Sequence, residues 1–211
     1  MNFELPHIYP ITDRRLSGLS HVEQVEKLIR GGATLIQLRE KDASPADFYR
    51  AAESVIKIAQ KGGVKVIIND RVDIALAVKA DGVHLGQDDL PPERARAILG
   101  EHAIIGFSTH TLDQAVAAIG LPIDYIAIGP VFETRTKLDP DAVVGLDGLR
   151  QVRKLVGDFP LVAIGGISSE NLRSVFDAGA DAAAMVGAIV SDAAAIEGQM
   201  SDFMALASNI A

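Results

Sequence analysis

The chain contains no cysteine, which removes disulfides, thiolate zinc centres and a thiol nucleophile at once. It also has no excess of basic residues, because 20 Lys and Arg stand against 28 Asp and Glu, a formal net charge of -8. A non-specific nucleic-acid binder needs basic surface against phosphate, so nucleic acid is excluded as a partner, and any anionic ligand must meet a local basic cluster. No stretch reaches the roughly 18 consecutive apolar residues of a membrane span. The opening MNFELPHIYPITDRR lacks the charged-then-apolar pattern of a secretory signal. A soluble, cytoplasmic protein with no membrane partner is expected. Low-complexity linkers and charge blocks are absent as well, so nothing in the composition divides the chain.

What is present is apolar and periodic. At 211 residues and 48% hydrophobic composition, the chain is long enough for one domain, residues 1–211, that buries its own core. Eight β-rich runs begin near His7, Thr34, Lys65, Gly82, Ala103, Asp124, Leu161 and Asp181. Segments of helical period lie between them, such as Phe48, Ala51, Ala52, Val55, Ile58, Ala59 and, later, Ile196, Met200, Phe203, Ala207, Ile210. The strands are nearly continuous apolar runs, the pattern of a parallel sheet covered by helices. Eight alternating units predict an α/β fold, a single (β/α)8 barrel. An open doubly wound sheet is the alternative, since periodicity does not show closure.

In a barrel of this kind the C-terminal ends of the strands build the site, and here they are polar. Strand two runs into Gln37, Leu38, Arg39, Glu40 and Lys41; strand three into Asn69, Asp70 and Arg71; strand four into His84, Gly86, Gln87, Asp88 and Asp89. Strand five ends in Ser108, Thr109, His110 and Thr111, and strand six opens an irregular polar stretch from Pro130 to Val144 that holds Thr134, Arg135, Thr136 and Lys137. Its length points to a functional loop, with an ordinary exposed hairpin loop as the alternative, and the position of Thr134 to Lys137 over the site suggests a lid. Arg39 and Lys41 alternate on one extended segment, and Lys137 arrives from another strand end. Three cations converging in an acidic protein point to a polyanion, whereas any one of them alone would read as a surface salt bridge to Glu40 or Asp42.

Asp70 and Asp89 end neighbouring strands. Two facing carboxylates repel unless a cation sits between them, and two acidic ligands completed by water and phosphate oxygens suit Mg2+. The competing assignment pairs Asp70 with Arg71 and uses Asp88 and Asp89 to cap the helix at LPPERA, with Asp88 the exposed or capping acid. Gly165-Gly166 closes strand seven where Ser168 and Glu170 are expected to begin a helix, leaving backbone N–H groups for a phosphate monoester; Val186-Gly187 repeats the feature after strand eight. His84 reads as a barrel-interior residue, and His110 as the more exposed of the two. Neither is assigned a proton transfer. Two anionic groups at one rim, a metal-bound diphosphate and a monophosphate, fit a transfer reaction without a protein nucleophile.

QLREK (Gln37 to Lys41), IND (Ile68 to Asp70), DGVHLGQDD (Asp81 to Asp89), GFSTHT (Gly106 to Thr111), DYIAIGPVFETRTK (Asp124 to Lys137) and VAIGGI (Val162 to Ile167) occur in order across almost the whole chain. Together they resemble the thiamine-phosphate synthase family. The resemblance implies an alkyl transferase that joins 4-amino-2-methyl-5-hydroxymethylpyrimidine diphosphate to 4-methyl-5-hydroxyethylthiazole phosphate, or its 2-carboxy form, by a dissociative route. It implies that Gln37, Leu38, Arg39, Glu40, Lys41, Asn69, Ser108 and Lys137 bind the pyrimidine diphosphate, with Arg39, Lys41, Ser108 and Lys137 acting in its departure. Asp70 and Asp89 would ligate Mg2+, and Thr134, Arg135, Thr136, Gly166, Val186 and Gly187 would hold the thiazole phosphate. One departure is Gly187, where the family commonly has Ser: a backbone N–H still serves a phosphate, but the hydroxyl contact is lost. A thiazole tautomerase of the same superfamily and a non-catalytic thiazole-phosphate-binding protein are the competing functions. Exposed helix faces leave room for a homo-oligomer.

Overall fold

A computed structural model of the chain describes residues 4–134, 136 and 141–210. Eight strands, β1 (Ile8–Pro10), β2 (Leu35–Leu38), β3 (Lys65–Asn69), β4 (Gly82–Leu85), β5 (Ile104–Thr109), β6 (Tyr125–Ile128), β7 (Leu161–Ile164) and β8 (Ala182–Met185), form one parallel sheet in the order β1-β8-β7-β6-β5-β4-β3-β2. The two ends of that order meet where Ile11 bridges Gln37 in parallel and the Thr12 N–H donates to the Gln37 carbonyl at 2.9 Å. The sheet is therefore a closed barrel, and the open-sheet alternative falls away.

Around it lie α1 (Arg14–Ser17), α2 (His21–Arg30), α3 (Pro45–Gly62), α4 (Val72–Val78), α5 (Pro92–Leu99), α6 (Leu112–Ala118), α7 (Gly145–Val156), α8 (Leu172–Asp177), α9 (Gly187–Val190) and α10 (Ile196–Ser208). Local chemistry marks several of the boundaries. Ser20 and Glu23 make a reciprocal capping box on α2. Ser44 caps α3 just before Pro45 at its first turn, and Gly63 ends that helix in the left-handed conformation.

Strand alternation splits the apolar residues into two cores. Ile36, Leu38, Ile68, Val83, Leu85, Ile105 and Ile126 face outward to the helices, where Phe48, Ala52, Val55 and Ala59 of α3 meet them. Tyr9, Ile11, Leu35, Ile67, Ile104, Tyr125, Ala127, Val162, Ala182 and Ala184 fill the barrel interior. Each fully buried Leu, Ile or Val contributes about 1.5–3 kcal/mol of transfer free energy. This alternation decides which residues of a strand reach the mouth of the barrel.

One expected boundary moves. Ser168 and Glu170 do not begin a helix; α8 starts at Leu172. The Asn171 side chain accepts the Ser168 N–H at 2.8 Å and donates to the Gly166 carbonyl at 3.0 Å, so a turn closed by asparagine replaces the first helical turn.

Candidate active site

A cavity of about 630 Å³ opens at the C-terminal ends of the strands. One wall comes from β2 to β4. Gln37 lies on the inward face of β2, and Arg39 and Lys41 continue that alternation into the cavity. Leu38 and Glu40 do not: Leu38 is fully buried among the residues facing the helices, and Glu40 turns to the opposite side of the segment. Glu40 accepts from His21 Nε2 at 3.2 Å, Arg14 at 3.3 Å and the Asp42 N–H at 2.8 Å. A period of two cannot bring all five residues of QLREK to one face, so the side chains of Leu38 and Glu40 are corrected from substrate contacts to supports. Burial works to raise the Glu40 pKa, but the N–H groups of Asp42 and Ala43 and the His21 contact overcome it and bring it to about 2. Burial lowers the His21 pKa despite Glu40, so this contact is a neutral imidazole donating to a carboxylate.

The two described cations are already engaged. Arg39 reaches Asp13 at 2.8 Å, and Lys41 pairs with Asp70. Asp13 is buried and also caps α1 through the N–H groups of Arg15 and Leu16, which makes it a rigid anchor for the guanidinium. Asp13 stands just beyond strand one, a polar strand end like those of strands two to five, and it is a site residue that the structure adds to the sequence reading. The third cation, Lys137, and Arg135 lie outside the described residues.

Asp70 follows β3 with φ +61°, a conformation that non-glycine residues rarely adopt. Strict alternation after the inward Asn69 would send Asp70 outward; the left-handed turn instead carries its carboxylate to Lys41 and to Asp89. Arg71 pairs with Asp73, not with Asp70. Asp88 is exposed, but neither acid caps α5, which begins after Pro91 without a side-chain cap. Asp89 turns back to accept the Gly86 N–H at 2.7 Å. Its pKa is raised by burial, against the pull of that N–H, and further by the negative charge of Asp70.

The pair fits the cation expected of it. Two carboxylates within hydrogen-bonding reach hold one proton or one cation between them. Among the described residues no group of three or more His, Cys, Asp and Glu gathers as a complete metal cage, and a site with two carboxylates that leaves other positions to water and phosphate is the usual one for Mg2+. Beside it the Asn69 side-chain nitrogen is buried and has no hydrogen-bond partner, a donor whose desolvation only a ligand in this cavity would offset.

Among the described residues, the opposite wall is mostly uncharged. Thr134, Thr136, Gly165, Gly166, Val186 and Gly187 line it, and the Thr136 N–H donates to Thr134 Oγ1 at 3.3 Å. Gly165 and Gly166 have φ of +104° and +62°. A Cβ on Gly165 would meet Pro130 Cβ at 2.5 Å, and one on Gly166 would meet the Glu133 carbonyl at 2.4 Å. Glycine is thus required for the loop after β6 to lie against the end of β7. His110 lines the same cavity, with Nδ1 2.7 Å from the Gly129 carbonyl and 3.4 Å from Asp141.

The floor is a run of polar side chains. Gln37 Nε2 donates to Tyr9 Oη at 3.2 Å, Tyr9 and Tyr125 hydroxyls lie 3.1 Å apart, and His84 joins Tyr125 at 2.9 Å through Nδ1 and Ser108 at 2.8 Å through Nε2. His84 is the interior residue its strand position predicts, and burial brings its pKa down to about 4. Gln87 donates to the Ser108 carbonyl at 2.6 Å. The tyrosines read in the sequence only as core.

A metal-competent carboxylate pair with cations on one wall, and glycine and threonine on the other, at the C-terminal mouth of a (β/α)8 barrel define an enzyme that handles phosphorylated small molecules. The chain belongs to the thiamine monophosphate synthase family, whose model matches residues 8–189. Among its relatives, thiamine-phosphate synthase of Clostridium novyi (strain NT) is 47% identical over 186 residues, covering 88% of this chain and 91% of the relative. Its counterpart in Chloroflexus aurantiacus is 47% identical over 185 residues, 87% of this chain and 85% of the relative. The solved thiamine phosphate pyrophosphorylase of Pyrococcus furiosus superposes with a TM-score of 0.86 at 36% identity, over 96% of each chain.

Proposed function

We propose that the chain is a transferase of thiamine biosynthesis that joins 4-amino-2-methyl-5-hydroxymethylpyrimidine diphosphate to 4-methyl-5-hydroxyethylthiazole phosphate or its 2-carboxy form, releasing pyrophosphate, in the cytoplasm. The observation that carries this reading is the division of one cavity into a carboxylate and cation wall and a wall of glycine and threonine. The first suits a diphosphate with Mg2+, the second a phosphate monoester.

Mg2+ bound by Asp70 and Asp89 would neutralise the diphosphate oxygens and so ease their departure. Arg39, held by Asp13, presents a fixed guanidinium fork to the same group. Lys41, paired with Asp70 in this site, would turn to a phosphate oxygen of the diphosphate. Ser108, Asn69 and Gln37 orient the pyrimidine part. Lys137 completes the cation set, and Thr134, Arg135, Thr136, Gly166, Val186 and Gly187 hold the thiazole phosphate near the departing carbon.

The C–O bond to the diphosphate breaks with its electron pair leaving on oxygen, and the electron-rich aminopyrimidine carries the positive charge. The thiazole nitrogen then supplies the new C–N bond from its lone pair. No proton is removed from that nitrogen, so no general base is needed, and the buried, neutral His84 is consistent with that. The entropic cost of meeting is met by holding both partners in one cavity.

Pyrophosphate release is measured with pyrimidine diphosphate, with and without thiazole phosphate, in Mg2+ or EDTA, with mass detection of thiamine phosphate. Mg2+-dependent release yielding the coupled product is the expected result. Folded protein that gives no coupled product would overturn the reading, and conversion of the carboxylated thiazole phosphate alone would move it to a tautomerase.

A further inference from the structure

The polar floor of the cavity makes more hydrogen bonds than substrate contact requires. Tyr9, Tyr125 and His84 come from β1, β6 and β4, and together they join Gln37 on β2 to Ser108 on β5. Tyr125 is fully buried, and its ring stacks on His84 at a centroid distance of 5.5 Å and 24°. The barrel is built around this contact. A Cβ on Gly106 would come within 2.0 Å of Tyr125 Cζ and 2.5 Å of His84 Nδ1, so β5 gives up an interior side chain to admit the pair.

Counting hydrogens gives the run a direction. The Gln37 amide nitrogen donates to Tyr9 Oη, and the arrangement that gives the Tyr9 hydroxyl hydrogen an acceptor has it donating to Tyr125. Tyr125 then donates to His84 Nδ1. A neutral imidazole that accepts at Nδ1 carries its proton on Nε2, and that proton goes to Ser108 Oγ. The Ser108 hydroxyl, having accepted from His84, keeps its own proton for the cavity. Run the other way, with the proton on Nδ1, Ser108 would donate inward and meet the substrate only as an acceptor, the wrong polarity for an anionic or lone-pair-bearing group.

The geometry points to Tyr9, Tyr125 and His84 as positioning residues: a directional hydrogen-bond relay, anchored at Gln37, that fixes the Ser108 hydroxyl as a donor to the diphosphate-bearing substrate. This rests on the reading above in which Ser108 touches that substrate. Neighbouring dipoles in such a chain reinforce one another, so cutting any link releases the polarity at its end.

The test is a double-mutant cycle on full-length protein, with thermal melts to verify folding. Tyr125→Phe is expected to lower kcat/KM for pyrimidine diphosphate about tenfold while leaving the KM for thiazole phosphate within about twofold. In a Ser108→Ala background the same substitution should cost nothing further, because the proton it orients is gone. Tyr9→Phe cuts the relay one link earlier, gives the same pattern, and serves if Tyr125→Phe does not fold. Equal losses in both backgrounds, or a loss shared by both substrates, would make these tyrosines mere barrel support and overturn the relay. Wild-type rates in Ser108→Ala would instead overturn the contact between Ser108 and substrate. Nitrogen NMR of the histidine-labelled wild type reads the direction without any variant: Nε2–H on His84 is expected, and Nδ1–H would refute it.

Discussion

At the N-terminal rim of the barrel Asp81, Asp124 and Asp181 each stand just before a strand, and each closes a ring with the neighbouring strand. Their carboxylates accept the N–H of Val66 at 2.8 Å, Ile105 at 2.7 Å and Leu161 at 2.7 Å, while their own N–H groups donate to the carbonyls of those same residues. Arg96 pairs with Asp124 and donates to the Pro122 and Ala103 carbonyls, and Arg153 repeats the arrangement with Asp181, Gly179 and Phe159. Both ion pairs span 28 residues. At the C-terminal rim Asp70 and Asp89 face one another, with an unsatisfied Asn69 amide beside them. The same residue type thus does opposite work at the two ends: carboxylates below are satisfied by backbone and by Lys65, Arg96 and Arg153, while Asp70 and Asp89 above are crowded against each other, with Lys41 on Asp70. Polar groups left unsatisfied inside a well-packed protein mark where a ligand completes the structure.

The sharpest way to break this comparison is to substitute each rim and read both stability and turnover. Asp89→Asn keeps an acceptor for the Gly86 N–H and removes only charge. It should cut turnover by about 10³-fold or more at ordinary Mg2+ while leaving the melting temperature unchanged or higher, because a repulsion with Asp70 is gone. Near-normal pyrophosphate release in this variant would remove the metal from Asp70 and Asp89. Arg153→Ala should do the reverse. Losing a charged donor to several carbonyls costs about 2–3 kcal/mol, which in a chain of this size lowers the melting temperature by roughly 5–10 °C. The kcat of the folded fraction should stay at the wild-type value, and a matching fall in kcat would show that the lower rim also shapes the site.

Much of this was legible in the sequence, and the reason is local. Each strand begins within one residue of its expected start, because buried parallel strands are short apolar runs bounded by polar residues. Gln37, Arg39, Lys41, Asp70 and Asp89 stand where such runs end, and all five line the cavity. What stayed hidden depends on geometry that spacing does not carry. Closure through Ile11 and Gln37 joins the first and second strands only after the sheet has curled. The positive φ of Asp70 redirects a side chain that alternation would send outward. Leu38 and Glu40 were carried into the site by a contiguous motif, where the period of two should have excluded them. Tyr9 and Tyr125 look like ordinary core because their hydroxyl partners sit on strands far away in sequence.

Glu40 tests the comparison from within the upper rim, since it sits beside Arg39 yet is satisfied like a lower-rim acid. Its folded pKa of about 2 lies below the ordinary 4.5. A depressed carboxylate contributes stability that is fully present above the unfolded pKa and lost as pH falls through the folded one. Wild-type protein should therefore lose stability between about pH 4.5 and 2 more steeply than Glu40→Gln, as followed by melting temperature against pH. Parallel curves would mean that Glu40 is not tied down as its hydrogen bonds indicate, and would reopen its side chain as a ligand contact.

The smallest effect is expected at the wall opposite the acids. Gly187 stands where the motif resemblance leads to an expectation of serine, and two features explain why glycine is not structurally required there. Its φ lies outside the left-handed region, unlike those of Gly165 and Gly166. A Cβ at this position meets only Thr136 Oγ1, at 3.6 Å, an ordinary van der Waals contact. Gly187→Ser should consequently fold without strain and add a hydroxyl donor beside Thr136 on the wall proposed to hold the thiazole phosphate. One hydrogen bond to a charged phosphate is worth about 1.5 kcal/mol at the low end, so the KM for thiazole phosphate should fall by about tenfold. The KM for pyrimidine diphosphate should not move, because the proposed function places that substrate across the cavity, against Arg39, Lys41 and the acids. A change confined to the pyrimidine diphosphate would exchange the two walls, and with them the assignment of which end of the reaction each one serves.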